Sequence, residues 1–196
     1  MIGPRAREPY MAPSFFNISG MSYGARSKPA VRALSLGAAK AGIWLSTGEG
    51  GCAPHHLEGG CDVIMQIGTA KYGVRDAEGK LSEEKLRELA ALRQIKMFEL
   101  KLAQGAKPGK GGILPAEKVN AEIAAIRGIP EGTASISPNR HIEAGDWGEL
   151  LDMIAHIRNV SGKPVGIKTV LGATEAWEPF FEEIVKRGED AAPDFI

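Results

Sequence analysis

Apolar positions along this chain keep changing period, and the changes divide it into alternating short and long segments. Four short apolar runs bounded by glycine, proline or charge read as buried strands: SFFNIS (14–19), IWLS (43–46), CDVIMQIG (61–68) and PVGIKTV (164–170). A fifth strand is expected near 100–103, where a long amphipathic stretch breaks, and APDFI (192–196) reads as the opening of a sixth. Between these runs the spacing becomes helical. SKPAVRALSLGAAKAG (27–42) has Ser27 placed to cap, Pro29 early in the helix and Gly42 to end it. LSEEKLRELAALRQ (81–94) starts with Ser82 as N-cap and carries Lys85 where a capping box would have an acid. PAEKVNAEIAAIRG (115–128), DWGELLDMIAHIRNVSG (146–162) and ATEAWEPFFEEIVKRG (173–188) complete the helical set.

Strand, glycine-rich loop, helix, strand is the grammar of an α/β domain built on a parallel sheet. No solenoid repeat or linker interrupts it, and 196 residues suit one domain with a sizeable core. Lys plus Arg equals Asp plus Glu at 24 each, so there is no basic surplus to recommend nucleic acid. The apolar runs are too short for a membrane helix, and MIGPRAREPYMAP lacks the apolar region of a secretory signal. With only two cysteines, Cys52 and Cys61, a reducing, cytoplasmic setting is expected.

The 25 glycines are clustered rather than scattered. GMSYGARS, TGEGGC, GTAKYG, QGAKPGKGG and KTVLG each follow an expected strand, which is where ligands meet parallel α/β folds. Such loops offer backbone N–H donors and lysines on one face, a surface suited to anions and developing negative charge.

The segments SGMSYGARSKPA, STGEGG, IMQIG-x-x-KYGV, K-x-AQGAKPGKGG-x-LP-x-x-KV and VGIKTV, in that order, resemble the FMN-binding central domain of glutamate synthase. The likeness covers about 15–196. It implies a partial (βα)8 TIM-type barrel with parallel strands, about five of the eight βα units being present. Residues 1–13 are then an N-terminal extension and 14–196 an incomplete FMN-binding barrel domain. The implied chemistry is FMN-dependent reduction of 2-iminoglutarate, formed from 2-oxoglutarate and ammonia, to L-glutamate. A glutamine amidotransferase domain or subunit and an electron-donor protein are the implied partners. The last barrel strands and an iron–sulfur cluster are expected only in a further C-terminal part or in a partner.

The resemblance also assigns roles. Glu49 and Lys107 are the expected catalytic residues. Ser22, Lys101, Gln104 and Arg127 are expected at the substrate, and Met21, Ser22, Thr47, Gln66 and Lys168 at the flavin. Physical chemistry supports several of these. A dianionic 2-oxo acid needs fixed cations, and glycines let backbone approach it. Arg127 offers a bidentate fork for a carboxylate, or a last-turn cation at a helix end. Glu49, flanked by glycines, can bond an incoming amine and move its proton. Lys168, on an otherwise apolar strand, needs an anion beside it, either a flavin edge or a structural carboxylate.

Three readings compete with this assignment. Ile113 stands where related glutamate synthases often carry a glutamine that helps bind 2-oxoglutarate, which leaves room for a related synthase using an alkylamine, such as an N-methylglutamate synthase. A non-catalytic barrel fragment completed by a partner chain is the alternative from outside enzymology. Cys52, His55, His56 and Cys61 form C-x2-H-H-x4-C, whose spacing departs from the paired ligands of structural zinc and is read as a loop without metal. His141 is read as a loop residue and His156 as a helix-face residue.

Overall fold

The computed structural model describes residues 1–107 and 109–196. Four parallel strands form the main sheet: β1 (Leu45–Ser46), β2 (Val63–Ile67), β3 (Ile95–Lys101) and, after a two-stranded excursion, β6 (Val165–Lys168). They lie side by side in chain order. Ile18 extends the sheet beyond β1 through a parallel bridge to Leu45, and Asp194 and Phe195 hydrogen-bond along the free edge of β6. The excursion is an antiparallel pair, β4 (Ile113–Leu114) and β5 (Ser135–Ile136), which the sequence pattern did not predict.

The helices are α1 (Lys28–Ala41), α2 (Pro54–Leu57), α3 (Glu83–Ala91), α4 (Ala121–Arg127), α5 (Trp147–Ser161) and α6 (Glu178–Arg187). Most of their ends follow the expected chemistry, but Ser27 holds the N-cap position of α1 without a side-chain cap bond, Pro29 in the first turn lacking an N–H to give it. Ser82, Asn120 and Asp146 each accept a backbone N–H of the first turn, and Gly42, Gly128 and Gly162 end their helices in the left-handed conformation. None of the described helices is long and apolar enough to cross a membrane.

Four expectations need correction. SFFNIS is not a strand: the Ser14 hydroxyl accepts from Phe16 N–H and the Asn17 amide donates to the Ser14 carbonyl, which turns the chain there. Only Ile18 reaches the sheet, and Phe15 and Phe16 are 92% and 74% exposed. The strand expected at 100–103 starts earlier, at Ile95, because Leu92 already leaves helical conformation and the Gln94 amide is pinned to the carbonyls of Leu57 and Cys61. The helix expected over 115–128 is a 3-10 turn followed by α4, divided at the Asn120 cap. APDFI forms edge hydrogen bonds without becoming a regular strand.

The sheet is covered on one face by helices and carries a different side-chain order on the other. Val63, Met65, Ile67, Phe98, Leu100, Val165 and Ile167 pack with α3, α5 and α6 into the main core. Alternation sends the intervening residues to the second face. Near the amino ends of the strands that face is apolar, where Tyr10 packs on Ile64 and Met97 with Trp44 and Phe195 beside them. Toward the carboxyl ends it becomes polar: Gln66 pairs in register with Glu99, and Lys101 with Lys168.

Candidate active site

The polar layer at the carboxyl ends of the strands gathers five of the ten site residues singled out from the sequence. Glu49 follows β1 within its glycine loop, Gln66 lies on β2, Lys101 ends β3 and Lys168 ends β6. Gln104, three residues past Lys101, turns back over the strand end. Its Nε2 donates to both Glu49 carboxylate oxygens, at 2.8 and 2.7 Å, and its Oε1 accepts from Lys101 Nζ at 2.9 Å. Lys101 also pairs directly with Glu49 at 3.2 Å. The lysine and the carboxylate are about four-fifths buried, at 18% and 20% side-chain exposure, so water screens the pair only weakly.

Two glycines make this closeness possible. A Cβ on Gly68 would lie 2.7 Å from Glu49 Cβ, and one on Gly112 would lie 2.5 Å from Glu49 Oε1 and 3.1 Å from Gln104 Nε2. The carboxylate is therefore walled by backbone on two sides.

Around this trio the other residues divide. Gln66 donates its amide to Glu99, a buried-strand carboxylate that sequence reasoning missed; it had the same signal as Lys168, a charge inside an apolar run. Thr47 is buried, its hydroxyl donating to Gly48 O at 2.9 Å and accepting from Gln66 N at 3.0 Å, so it orders the β1 end. Lys168 sits beside Lys101 in register with no carboxylate within ion-pair distance among the described residues. Met21 packs on the main core, and its carbonyl accepts from His56 Nε2 at 2.8 Å. Lys107 is exposed on its loop and is not brought to the others; Pro108, next in the AQGAKPG motif, lies outside the described residues.

Arg127 is buried rather than facing solvent at the helix end. It donates to Ser135 Oγ at 2.8 Å, Tyr23 O at 3.3 Å and Ser22 Oγ at 3.4 Å, tying α4 to the first glycine loop. Burial lowers its basicity, with the Glu49 charge opposing that shift. Ile113 is 59% exposed on β4, immediately after the Gly112 that abuts Glu49.

Cys52, His55, His56 and Cys61 do not converge. His55 lies between Glu58 and Glu122, 2.7 Å from each, and His56 Nδ1 accepts from Ala53 N at 3.0 Å. Burial pushes the Cys52 thiol up to about 12, so it is an inert sulfur.

A second unforeseen cluster supports the first. The loop after β2, 68–72, is buried and anchors the segment 135–143 at three points: Thr69 Oγ1 donates to Pro138 O at 2.6 Å, Lys71 Nζ pairs with Glu143 at 2.8 Å, and Tyr72 shares a 2.7 Å hydrogen bond with Ser135. Lys71 is 1% exposed and holds a left-handed φ of 55°, a conformation no periodicity reveals. His141 in the anchored segment donates Nε2–H to Lys101 O at 3.0 Å, fixing the end of β3.

Comparison with known proteins decides the family. Residues 6–192 match the model for the conserved region in glutamate synthase. The chain belongs to the glutamate synthase family. It is 44% identical over 190 residues to the glutamate synthase large subunit-like protein YerD of Bacillus subtilis, covering 96% of this chain and 36% of that protein. It is 33% identical over 172 residues to an archaeal-type glutamate synthase [NADPH] of Dehalococcoides mccartyi, covering 88% and 32%. A glutamate synthase large subunit-like protein of Rhizobium meliloti is 30% identical over 195 residues, 97% of this chain and 40% of that one. The chain thus spans about a third of the length of the curated relatives it matches.

Proposed function

We propose that this chain is the flavin- and substrate-binding part of an FMN-dependent glutamate synthase, working on 2-iminoglutarate derived from 2-oxoglutarate and ammonia. The observation that carries the reading is the Glu49–Gln104–Lys101 cluster at the carboxyl ends of parallel strands, with Lys168 beside it. Strands in chain order with helices on one face fit part of a (βα)8 barrel whose interior is the face bearing this layer.

The donor set suits the anionic edge of a flavin ring. Lys168 is a half-buried cation awaiting an anion, Gln66 lies on the same face two residues deeper in register with its amide held by Glu99, and the loops of Met21, Ser22 and Thr47 are lined with glycine. When bound, FMN supplies the hydride. The protein's own residues do the rest. Lys101, Gln104, Ser22 and Arg127 form the substrate set, Arg127 acting through Ser22, and Lys107 adds a loop cation for a carboxylate. Glu49 receives the incoming ammonia and takes or returns its proton, oriented by Gln104 and Lys101. Ammonia from a glutamine amidotransferase and electrons from an iron–sulfur or pyridine-nucleotide partner complete the cytoplasmic enzyme.

Ile113 favours a second reading. An exposed aliphatic side chain next to Gly112 and Glu49 accommodates an alkylamine in place of ammonia, giving an N-alkylglutamate.

Gel filtration of the chain with added FMN tests the reading. A flavin band travelling with the protein, lost in Lys168→Met and retained in Glu88→Gln, supports it; a band indifferent to Lys168 overturns the assignment. Turnover of 2-oxoglutarate with ammonia against methylamine, using chemically reduced FMN, separates the two substrates.

A further inference from the structure

Glu99 lies on the second face of the sheet, with no cation within ion-pair distance of it among the described residues. In register it sits between Gln66 of β2 and Gly166 of β6. Below it the face is apolar: Met97 precedes it by two residues, and the Phe195 ring lies over Gly166, where an added Cβ would stand 2.4 Å from the ring. Above it come Lys101 and Lys168, and Lys101 is already engaged by Glu49 and Gln104. Glu99 is therefore the lowest polar step of the layer, and its side chain takes the Gln66 amide as its hydrogen-bond donor.

That bond fixes which way round Gln66 lies. A carboxylate offers only acceptors, so the atom facing it must be Nε2, and the amide carbonyl is turned away. Gln66 is 2% exposed, yet its Oε1 accepts from no donor among the described residues. The oxygen is not sealed in: among the described residues, the side-chain atoms closed off from water without a partner are Arg75 Nε, Arg127 Nε and His141 Nδ1. The amide lies under the first glycine loop, where a Cβ on Gly20 would come within 3.3 Å of Oε1 and 3.4 Å of Nε2, so glycine there leaves it uncovered. A nearly buried acceptor without a donor is costly, and the position calls for an N–H or O–H from a ligand. Lysines two residues higher on the same face ask for a carbonyl or an anion beside that donor. The pyrimidine edge of a flavin meets both demands, since its N3–H lies between two carbonyls and its N1 becomes anionic on reduction. We propose, building on the flavin reading above, that Glu99 is a positioning residue for the cofactor, holding the Gln66 carbonyl oxygen ready to accept the flavin N3–H. Glu99 itself touches neither flavin nor substrate in this role; it acts through Gln66.

The test titrates the 196-residue chain with FMN and with its N3-methyl derivative, which lacks the donor, following flavin fluorescence. FMN should bind about tenfold more tightly, the worth of one hydrogen bond to an otherwise unpaired acceptor. Glu99→Gln keeps the size of the side chain but can donate to Gln66 as well as accept from it, which frees the amide to turn over. The preference for FMN should then shrink to about two- to threefold. In Gln66→Met the preference should vanish, and adding Glu99→Gln to that variant should change nothing further, a non-additivity that a merely structural carboxylate would not produce. The flavin-free chain gives an independent reading by NMR: one Gln66 side-chain amide proton should be shifted downfield and slow to exchange. Neither the pair of flavins nor this amide signal depends on a variant that folds. Equal binding of the two flavins, or a preference unmoved by Glu99→Gln, would overturn the proposal and leave flavin binding itself standing. A fast-exchanging Gln66 amide would overturn the positioning role whichever flavin binds. Binding of neither flavin would overturn the flavin reading and this proposal with it.

Discussion

Gln104 stands between Lys101 and Glu49, accepting from the lysine at 2.9 Å and donating to the carboxylate at 2.7 and 2.8 Å. One neutral side chain thereby fixes the orientation of an acid and a base that also touch directly at 3.2 Å. A cation already engaged by a carboxylate is held in place before any ligand arrives, which is how a site avoids the cost of ordering a long lysine side chain on binding.

Replacing Gln104 by leucine should keep the Lys101–Glu49 pair and lose its orientation. Affinity for 2-oxoglutarate, measured by calorimetric titration, is expected to fall about tenfold, the worth of one charge-assisted hydrogen bond. Lys101→Met should cost more, since it removes the charge itself. Equal, negligible effects of both would detach this trio from substrate binding.

Gly112→Ala tests the backbone wall. Its Cβ would stand 2.5 Å from Glu49 Oε1, so carboxylate and strand β4 cannot both stay where they are. A loss of about 1–3 kcal/mol in urea unfolding is expected, the usual cost of overpacking. Gly172→Ala, where an added methyl meets nothing within 4 Å, is the control and should be close to neutral.

Lys71 carries two opposed contributions. Its ion pair with Glu143 is favourable, whereas its φ of 55° costs an L-residue about 1 kcal/mol. Lys71→Ala loses the pair and keeps the strain; Lys71→Gly loses the pair and removes it. The glycine variant should therefore be the more stable of the two by about 1 kcal/mol in denaturant unfolding, reversing the usual order of these residues.

Acid should weaken the fold before carboxylates begin to titrate. Burial holds His141 down to about 4 from its ordinary 6.5, and lowers His56 as well. His141 is neutral in the folded protein over that range, so the unfolded chain binds more protons between pH 6.5 and about 4, and the lowered His56 acts in the same direction. Stability is complete above pH 6.5 and falls as pH drops through that window. Each histidine contributes a slope of at most about 1.4 kcal/mol per pH unit. His141→Gln should flatten the dependence of unfolding free energy between pH 6.5 and 5, leaving the share of His56. An unchanged slope would mean that His141 is not buried in its neutral form.

Much of this site was legible because its chemistry is written in residues that look out of place. Lys168 interrupts an apolar run, and Glu49 and Lys101 flank glycine-rich turns after strands. The architecture was legible for the same reason: caps such as Ser82 and Asp146, and terminators such as Gly162, act through local hydrogen bonds that sequence spacing specifies. What stayed hidden depends on tertiary partners. Nothing near Lys71 announces a left-handed backbone, because the partners that hold it lie some seventy residues away. His141 is the loop residue expected, but its burial and its bond were hidden because its partner, the Lys101 carbonyl, lies forty residues away at the end of β3. SFFNIS failed as a strand because Ser14 and Asn17 satisfy the backbone locally, a competition that apolar content cannot report. Arg127, read as a substrate cation or a last-turn cation at a helix end, is also a buried brace between α4 and Ser22, a role only the packing of Tyr72 and Ser135 defines.

Strands that neighbour one another in the sheet in the same order as in the chain have a bearing on how the molecule is made. Each newly emerged unit finds its docking edge already assembled behind it: β2 joins β1, β3 joins β2, and β6 closes onto β3 once the β4–β5 excursion has passed. Assembly can therefore keep pace with the ribosome, one strand at a time, and a pause in translation leaves a growing sheet with a single waiting edge rather than a tangle of unmatched ones.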